Sequence, residues 1–332
     1  MLLKTYIESG WSVRNLISRN TLVRGVLISR RVPYLEQVKR YLLKDRPTGK
    51  MLTNDYIATL DVASSIPDKN TVIYVSIYSD PVPLPGEKRG QHLKRVIELI
   101  RDKKGYKYLI CSDLGDEPFD QGCMSSLPDN VLKVYSLNAS VFRDRVTCFP
   151  IGINNPHELE QIRDQFTVLA AQYSQKRKKK LICCGPFGMG DLTYPVVKPK
   201  KMIRRNLERA KILLEMEEKP WLSVKYTRMS FNQYVSFLSE HRFVISPIGK
   251  GMDCHRTWEA LYLKSIPVLT KKNYLQCYND LPILYVNDYR DLTKDYLKEQ
   301  YEVMLNSHYN FDKLEKRYWD NVIDEGEAMI GV

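Results

Sequence analysis

No apolar run in the 332 residues approaches the roughly 20 needed to span a bilayer, so no membrane-spanning helix is predicted. The first residues, MLLKTYIESGWSVRNL, lack the uninterrupted apolar core and small-residue cleavage site of a secretory signal peptide. Cysteine is too scattered for a disulfide framework or a zinc site. Cys111, Cys123, Cys148, Cys183, Cys184, Cys254 and Cys277 are odd in number and contain no C-x-x-C pair. Buried free thiols in a reducing compartment are the simpler reading, and a cytoplasmic location is the expectation. Neither an internal repeat nor a low-complexity segment is present. With 43% hydrophobic and 27% charged residues the composition is that of a globular protein, long enough for one large domain or two ordinary ones.

Acidic residues are in short supply: 39 Asp and Glu face 51 Lys and Arg, a net charge of +12. That excess asks for an anionic partner, whether nucleic acid, an anionic membrane surface or a phosphorylated substrate. It is uneven, because residues 1–50 alone hold eleven Lys or Arg against three Asp or Glu. This arm reads as helical, with Leu16, Ile17, Val23, Val26 and Leu27 set among five arginines.

Beyond the arm, TVIYVSIYS (71–79), YKYLICSD (106–113), VLKVYSLN (131–138) and VTCFPIGI (146–153) read as strands, with HLKRVIELIRDK (92–103) at helical spacing. A helix at 157–175 then runs into KRKKK (176–180), a charge run suited to a domain junction. The rhythm restarts with LICCGPFG (181–188), a basic helix at 200–216, a strand at 221–227, a Ser-started helix at 230–241 and RFVISPIG (242–249). RTWEALYLK (256–264), SIPVLT (265–270) and ILYVND (283–288) continue it, and 291–325 reads as helical. Alternating strands and helices predict an α/β protein of two Rossmann-like domains. The expected domains are 1–175, 176–310, and a C-terminal helix at 311–332 packing back on the first.

The most informative stretch is 241–288. A strand ends at Ile245, and a loop with Gly249 and Gly251 leads into a helix starting near His255. Ligands in open α/β sheets bind at the carboxyl ends of strands, where glycine admits a ligand close to the backbone and a helix N-terminus offers N–H groups to phosphate. Arg256 and Glu259, at i and i+3, suit a diphosphate and ribose hydroxyls respectively; equally they suit a surface ion pair. Asp253 reads as a cap for the helix or as a sugar ligand, and His255 as a phosphate donor or a packed histidine. Trp258 reads as core.

The run F-V-I-S-P-x-G-x-G-x-D-C-H-R-T-W-E-A-L-x-L-x-S-I-P-V-L, followed by D-L-P-I-L-Y-V-N-D, resembles the donor-binding half of exostosin-like glycosyltransferases, soluble forms of which occur in microbes and large DNA viruses. N-A-S-x-F-R-D-R-V-T-C-F-P-I-G-I-N (138–154) is similar to the stretch that closes their first domain. The resemblance implies a GT-B fold, two Rossmann-like domains facing across a cleft, with a nucleotide-sugar donor held mainly by the second and no required metal or other cofactor. It implies Arg256 at the diphosphate and Glu259 at the ribose, with Ser246, Pro247, Gly249 and Gly251 shaping the loop over the donor. It also implies a second phosphate contact from Arg204 or Arg205, which otherwise read as a solvated helix face.

The expected reaction is inverting transfer from a UDP-sugar, of the UDP-xylose or UDP-glucuronate type, to a glycan hydroxyl. That makes the chain a hexosyl- or pentosyltransferase. The base would come from the first domain, with Asp80 and then Asp113 as candidates, ahead of Asp116 and Glu117; all read equally as turn formers. Partners are then a nucleotide-sugar and a glycan acceptor, with peripheral membrane contact through residues 1–50 as an added role. A basic nucleic-acid-binding protein is the alternative from charge, though no helix-turn-helix or single-strand-binding signature appears. A non-catalytic glycan-binding relative is the other.

Overall fold

The computed structural model describes residues 25–28, 70–76, 97–113, 119–141, 143–153, 160–173, 178–187, 200–227, 229–249 and 251–331. Two all-parallel sheets of five strands organise them. The first is built in sequence order from β1 (Gly25–Ile28), β2 (Thr71–Ser76), β3 (Tyr108–Asp113), β4 (Val131–Leu137) and β5 (Val146–Phe149). β1 corrects the helical expectation for the basic arm at Val26 and Leu27. These residues lie in the strand Gly25–Ile28, in register with Val72–Val75. A short apolar run has no periodicity of its own, so the partner strand decides. The rest of residues 1–50 lies outside the described residues.

Near-continuous apolar runs are what strands covered on both faces require, and β4 is buried at Val131, Val134, Tyr135, Ser136 and Leu137. A short helix α1 (Gln121–Ser125) precedes β4, capped by the Asp120 carboxylate. The second sheet has the order β10–β9–β8–β6–β7. Its strands are β6 (Lys180–Cys184), β7 (Leu222–Val224), β8 (His241–Ile245), β9 (Ile266–Thr270) and β10 (Leu284–Val286). Around it lie α2 (Glu160–Tyr173), α3 (Lys200–Glu217), α4 (Phe231–Ser239), α5 (His255–Tyr262) and α6 (Lys294–Leu305). Ile182, Cys184, Phe243, Ile245 and Val268 pack with Leu213 and Met216 of α3 and Leu297 of α6 into one core. α4 starts with a reciprocal cap: the Ser230 hydroxyl accepts from the Gln233 amide, and the Gln233 side chain accepts from the Ser230 amide.

The chain divides into two compact units. Residues 152–274 and 278–318 hold the second sheet; the first sheet, residues 275–277 and residues from 319 onward make the other. α2 falls in the unit of the second sheet, where Phe166 meets Phe231 and Tyr262. The lysine run at 176–180, which suits a domain junction, predicts the first domain for this helix. Its aromatic contacts place it with the second sheet instead. The last helix, α7 (Lys316–Ile330), packs on the first sheet from Trp319 onward. Trp319 meets Phe149 at 5.0 Å, and the Tyr135 hydroxyl donates to the Val322 carbonyl at 3.1 Å. Gly326 permits this, since a Cβ there would collide with the Tyr135 hydroxyl.

Candidate functional site

The order of the second sheet locates the site. From β6 the chain goes to β7 on one side and then returns to β8 on the other, so the winding reverses between β6 and β8. Crevices outside the carboxyl ends of strands at such a switch point are where open α/β sheets bind ligands. Two loops leave the sheet there, Gly185–Phe187 after β6 and Ser246–Cys254 after β8. Gly185 has φ of +80°, and a Cβ would fall on the Lys225 carbonyl oxygen, so the turn requires glycine.

The Ser246–Cys254 loop delivers the N-terminus of α5 to the same place. Cys254, extended at φ −126° and ψ 134°, is the N-cap, and its side chain makes no capping bond; its thiol donates to the Pro247 carbonyl at 3.2 Å. The N-cap residue's own side chain therefore makes no bond to the first turn of α5. Asp253, which the sequence offers as a cap or a sugar ligand, stands one residue before that N-cap. Its Oδ1 accepts from Trp258 Nε1 at 2.8 Å and from the Tyr278 hydroxyl at 2.6 Å, and the residue is only 2% exposed. This carboxylate ties the loop to α5 and to Tyr278. Trp258 is core, as the apolar face of α5 predicts.

Arg256 and Glu259 are brought together by α4 as well as by their own helix. Arg256 Nη1 donates to the Gly185 carbonyl at 2.8 Å and Nη2 to the Pro186 carbonyl. Its guanidinium lies over the rings of Phe187 and Tyr234, at 4.9 and 5.4 Å. Those two bonds do not exhaust a guanidinium's donors, so the group pins the β6 turn and still brings positive charge to the crevice. Glu259 is buried, and its Oε2 accepts from the Tyr234 hydroxyl at 2.5 Å. Burial opposes the Arg256 charge, but Tyr234 and Glu259 outweigh it and hold the group above its ordinary value. Burial also raises Tyr234 well above the usual phenol range; Arg256 opposes this and Glu259 adds to it, so Tyr234 stays a donor.

His255 Nδ1 lies 2.8 Å from the Gly152 carbonyl oxygen, which fixes Nδ1 as the protonated nitrogen. The Ser246 hydroxyl is buried against that of Thr257 at 2.9 Å, and the Gly249 amide donates to the Gly251 carbonyl at 3.1 Å. Arg204 and Arg205 lie in α3, with side chains outside the described residues. Asp113 is the last residue of β3, opposite Ser76 of β2, and Asp80, Asp116 and Glu117 lie outside the described residues. Phe187, Tyr234 and Arg209 join the site without a sequence motif that marks them. Arg209 was legible only as one turn beyond Arg205 on the basic helix, and Tyr234 as one of several aromatics in α4.

Burial pushes the Cys183 thiol up to about 12 and that of Cys254 to about 11, with nearby arginines opposing, so neither is a ready nucleophile. Among the described residues, no group of three or more His, Cys, Asp or Glu could hold a metal ion. No helix among them is long and apolar enough to cross a membrane.

Residues 197–313, about a third of the chain, match the family profile of the RXYLT1 C-terminal domain. The matched stretch contains α3, α4, the Ser246–Cys254 loop and all of α5. It supports a glycosyltransferase family of the xylosyltransferase type. No curated protein matches the chain.

Proposed function

We propose that this chain transfers a sugar from a nucleoside-diphosphate sugar to a hydroxyl of a glycan acceptor. One observation carries the reading: at the switch point of a parallel sheet, an arginine and a buried carboxylate converge at the start of one helix. Both lie on α5, within the stretch that matches a glycosyltransferase family. Arg256 and the first-turn amides of α5 meet the diphosphate, while Glu259 accepts from the ribose hydroxyls. Ser246, Pro247, Gly249 and Gly251 form the loop over the donor, with Asp253 and His255 at its end, and Arg204 or Arg205 adds a second phosphate contact. The donor is a UDP-sugar of the xylose or glucuronate type, a choice supported by the xylosyltransferase character of the family.

The two parallel sheets support a GT-B arrangement, with the acceptor on the first domain. The acceptor hydroxyl attacks the anomeric carbon as a carboxylate takes its proton, and the nucleoside diphosphate leaves from the opposite face, inverting the centre. Asp113, where β3 ends, is the described candidate for that base, and Asp80 the candidate beyond it. Fixed positive charge stabilises the departing diphosphate, so the reaction requires no metal. A cytoplasmic setting is supported by the six described cysteines, all free thiols. Peripheral membrane contact through residues 1–50 concerns a segment almost wholly outside the described residues.

The test is a panel of UDP- and GDP-sugars, read by thermal stabilisation and slow hydrolysis. A response confined to one nucleotide class is expected; silence with every donor overturns the reading.

A further inference from the structure

Two arginines cross between the loops of the switch point in opposite directions. α5 follows the β8 loop, and its Arg256 grips the turn after β6 through the carbonyls of Gly185 and Pro186. α3 lies downstream of that turn, and its Arg209 grips the loop after β8. Nε of Arg209 donates to the Ile248 carbonyl at 2.9 Å, and Nη2 lies 3.9 Å from Cys254 Sγ. The Phe187 ring meets both guanidinium groups, 5.7 Å from Arg209 and 4.9 Å from Arg256. The fit around the loop is close. A Cβ on Gly249 would stand 2.7 Å from Cys254 Sγ and 3.2 Å from Arg209 Nη2.

We propose that Arg209 is a positioning residue of the donor site, completing with Arg256 a reciprocal brace that fixes both loops before the donor arrives. It sets donor affinity by holding the Ser246–Cys254 loop rather than by touching the donor. The proposal rests on the donor-binding reading above. Its logic is preorganisation: a loop already fixed has no ordering cost left to charge against binding. A hydrogen bond from a charged donor, together with its ring contact, supports an effect of about 10-fold on affinity.

The experiment titrates the wild-type chain, Arg209→Lys and Arg209→Met calorimetrically with UDP and UMP, and with GDP and GMP. It adds donor KM and kcat and a melting curve for each variant. Arg209→Met is expected to weaken diphosphate and monophosphate by the same factor, about 10-fold, raising KM with kcat nearly unchanged. Lysine lacks the Nε fork and the planar face, so Arg209→Lys is expected to fall close to the Met variant. Gly249→Ala, which presses on the same guanidinium, is expected to be non-additive with Arg209→Met. A loss confined to the diphosphates would make Arg209 a direct phosphate contact and overturn the proposal. So would a lowered melting temperature with unchanged affinity. If the wild type binds none of the four nucleotides, the donor reading fails and takes the brace with it; if wild type and variants bind alike, the brace alone fails.

Discussion

Replacing Tyr234 by phenylalanine removes one oxygen from the centre of the site and leaves its ring in place. That hydroxyl donates to Glu259 Oε2 at 2.5 Å, and Glu259 is 5% exposed. Water therefore cannot readily take the place of the lost donor. Hydrogen bonds to charged groups contribute about 1.5–3 kcal/mol, and a buried acceptor losing one carries a desolvation penalty of similar size, so Tyr234→Phe is expected to lower unfolding free energy by about 2 kcal/mol. Tyr234→Leu also removes the ring beneath the Arg256 guanidinium, 5.4 Å away, and is expected to lose about 1 kcal/mol more. Urea unfolding followed by tryptophan fluorescence measures both, with the midpoint shifting at constant slope. Nucleotide affinity is expected to fall in the Phe variant as well, because Glu259 loses a partner that helps to orient it. A Phe variant as stable as wild type, with unchanged affinity, would refute the idea that α4 orients the carboxylate.

Three further outcomes follow from the same geometry. Burial lowers His241 to about 4, against a backbone bond to Phe237 that works the other way. A depressed base means the unfolded chain binds the extra proton, so stability is full above about pH 6.5 and is lost as pH falls towards 4. His241→Asn is expected to remove about 2 kcal/mol of the stability difference between pH 8 and pH 5, and urea unfolding at both pH values checks this. Gly185→Ala forces a left-handed residue against the Lys225 carbonyl; it is expected to cost at least about 2 kcal/mol and to weaken nucleotide binding, read by calorimetry. Lys178 donates from one ammonium to the carbonyls of Ser239 and Leu263, at the ends of α4 and α5, so Lys178→Met is expected to destabilise by about 1–2 kcal/mol in a melting assay.

Much of the α/β order was legible because parallel strands covered on both faces write themselves as β-branched and aromatic runs. YLICSD, VLKVYSL and HRFVI became β3, β4 and β8 within two residues of their expected limits. Gly-Val-Leu-Ile was not legible, since four apolar residues fit a helix or a strand until a neighbour such as β2 is known. The strand exchange that creates the switch point was likewise hidden, because it depends on β8 pairing with β6 rather than with β7. Within the site, the start of α5 and the pairing of Arg256 with Glu259 on one helix could be read from spacing. What each side chain touches could not. Asp253 sits where a cap is expected, yet the extended backbone of Cys254 makes that residue the N-cap, and Asp253 accepts from Trp258 and Tyr278. Arg256 reaches a turn 70 residues upstream, a contact no local pattern encodes.

The central claim, a nucleotide-sugar site built on α5, is tested most directly by calorimetric titration of UDP into the wild-type chain and Glu259→Gln. Glutamine keeps an oxygen for the Tyr234 hydroxyl but gives up the charge that strengthens a bond from ribose. The account predicts saturable binding to the wild type and, at temperatures well below the variant's lowered melting point, a loss of about 10-fold or more in the variant. No binding by the wild type, or a variant that binds UDP equally well, would contradict it.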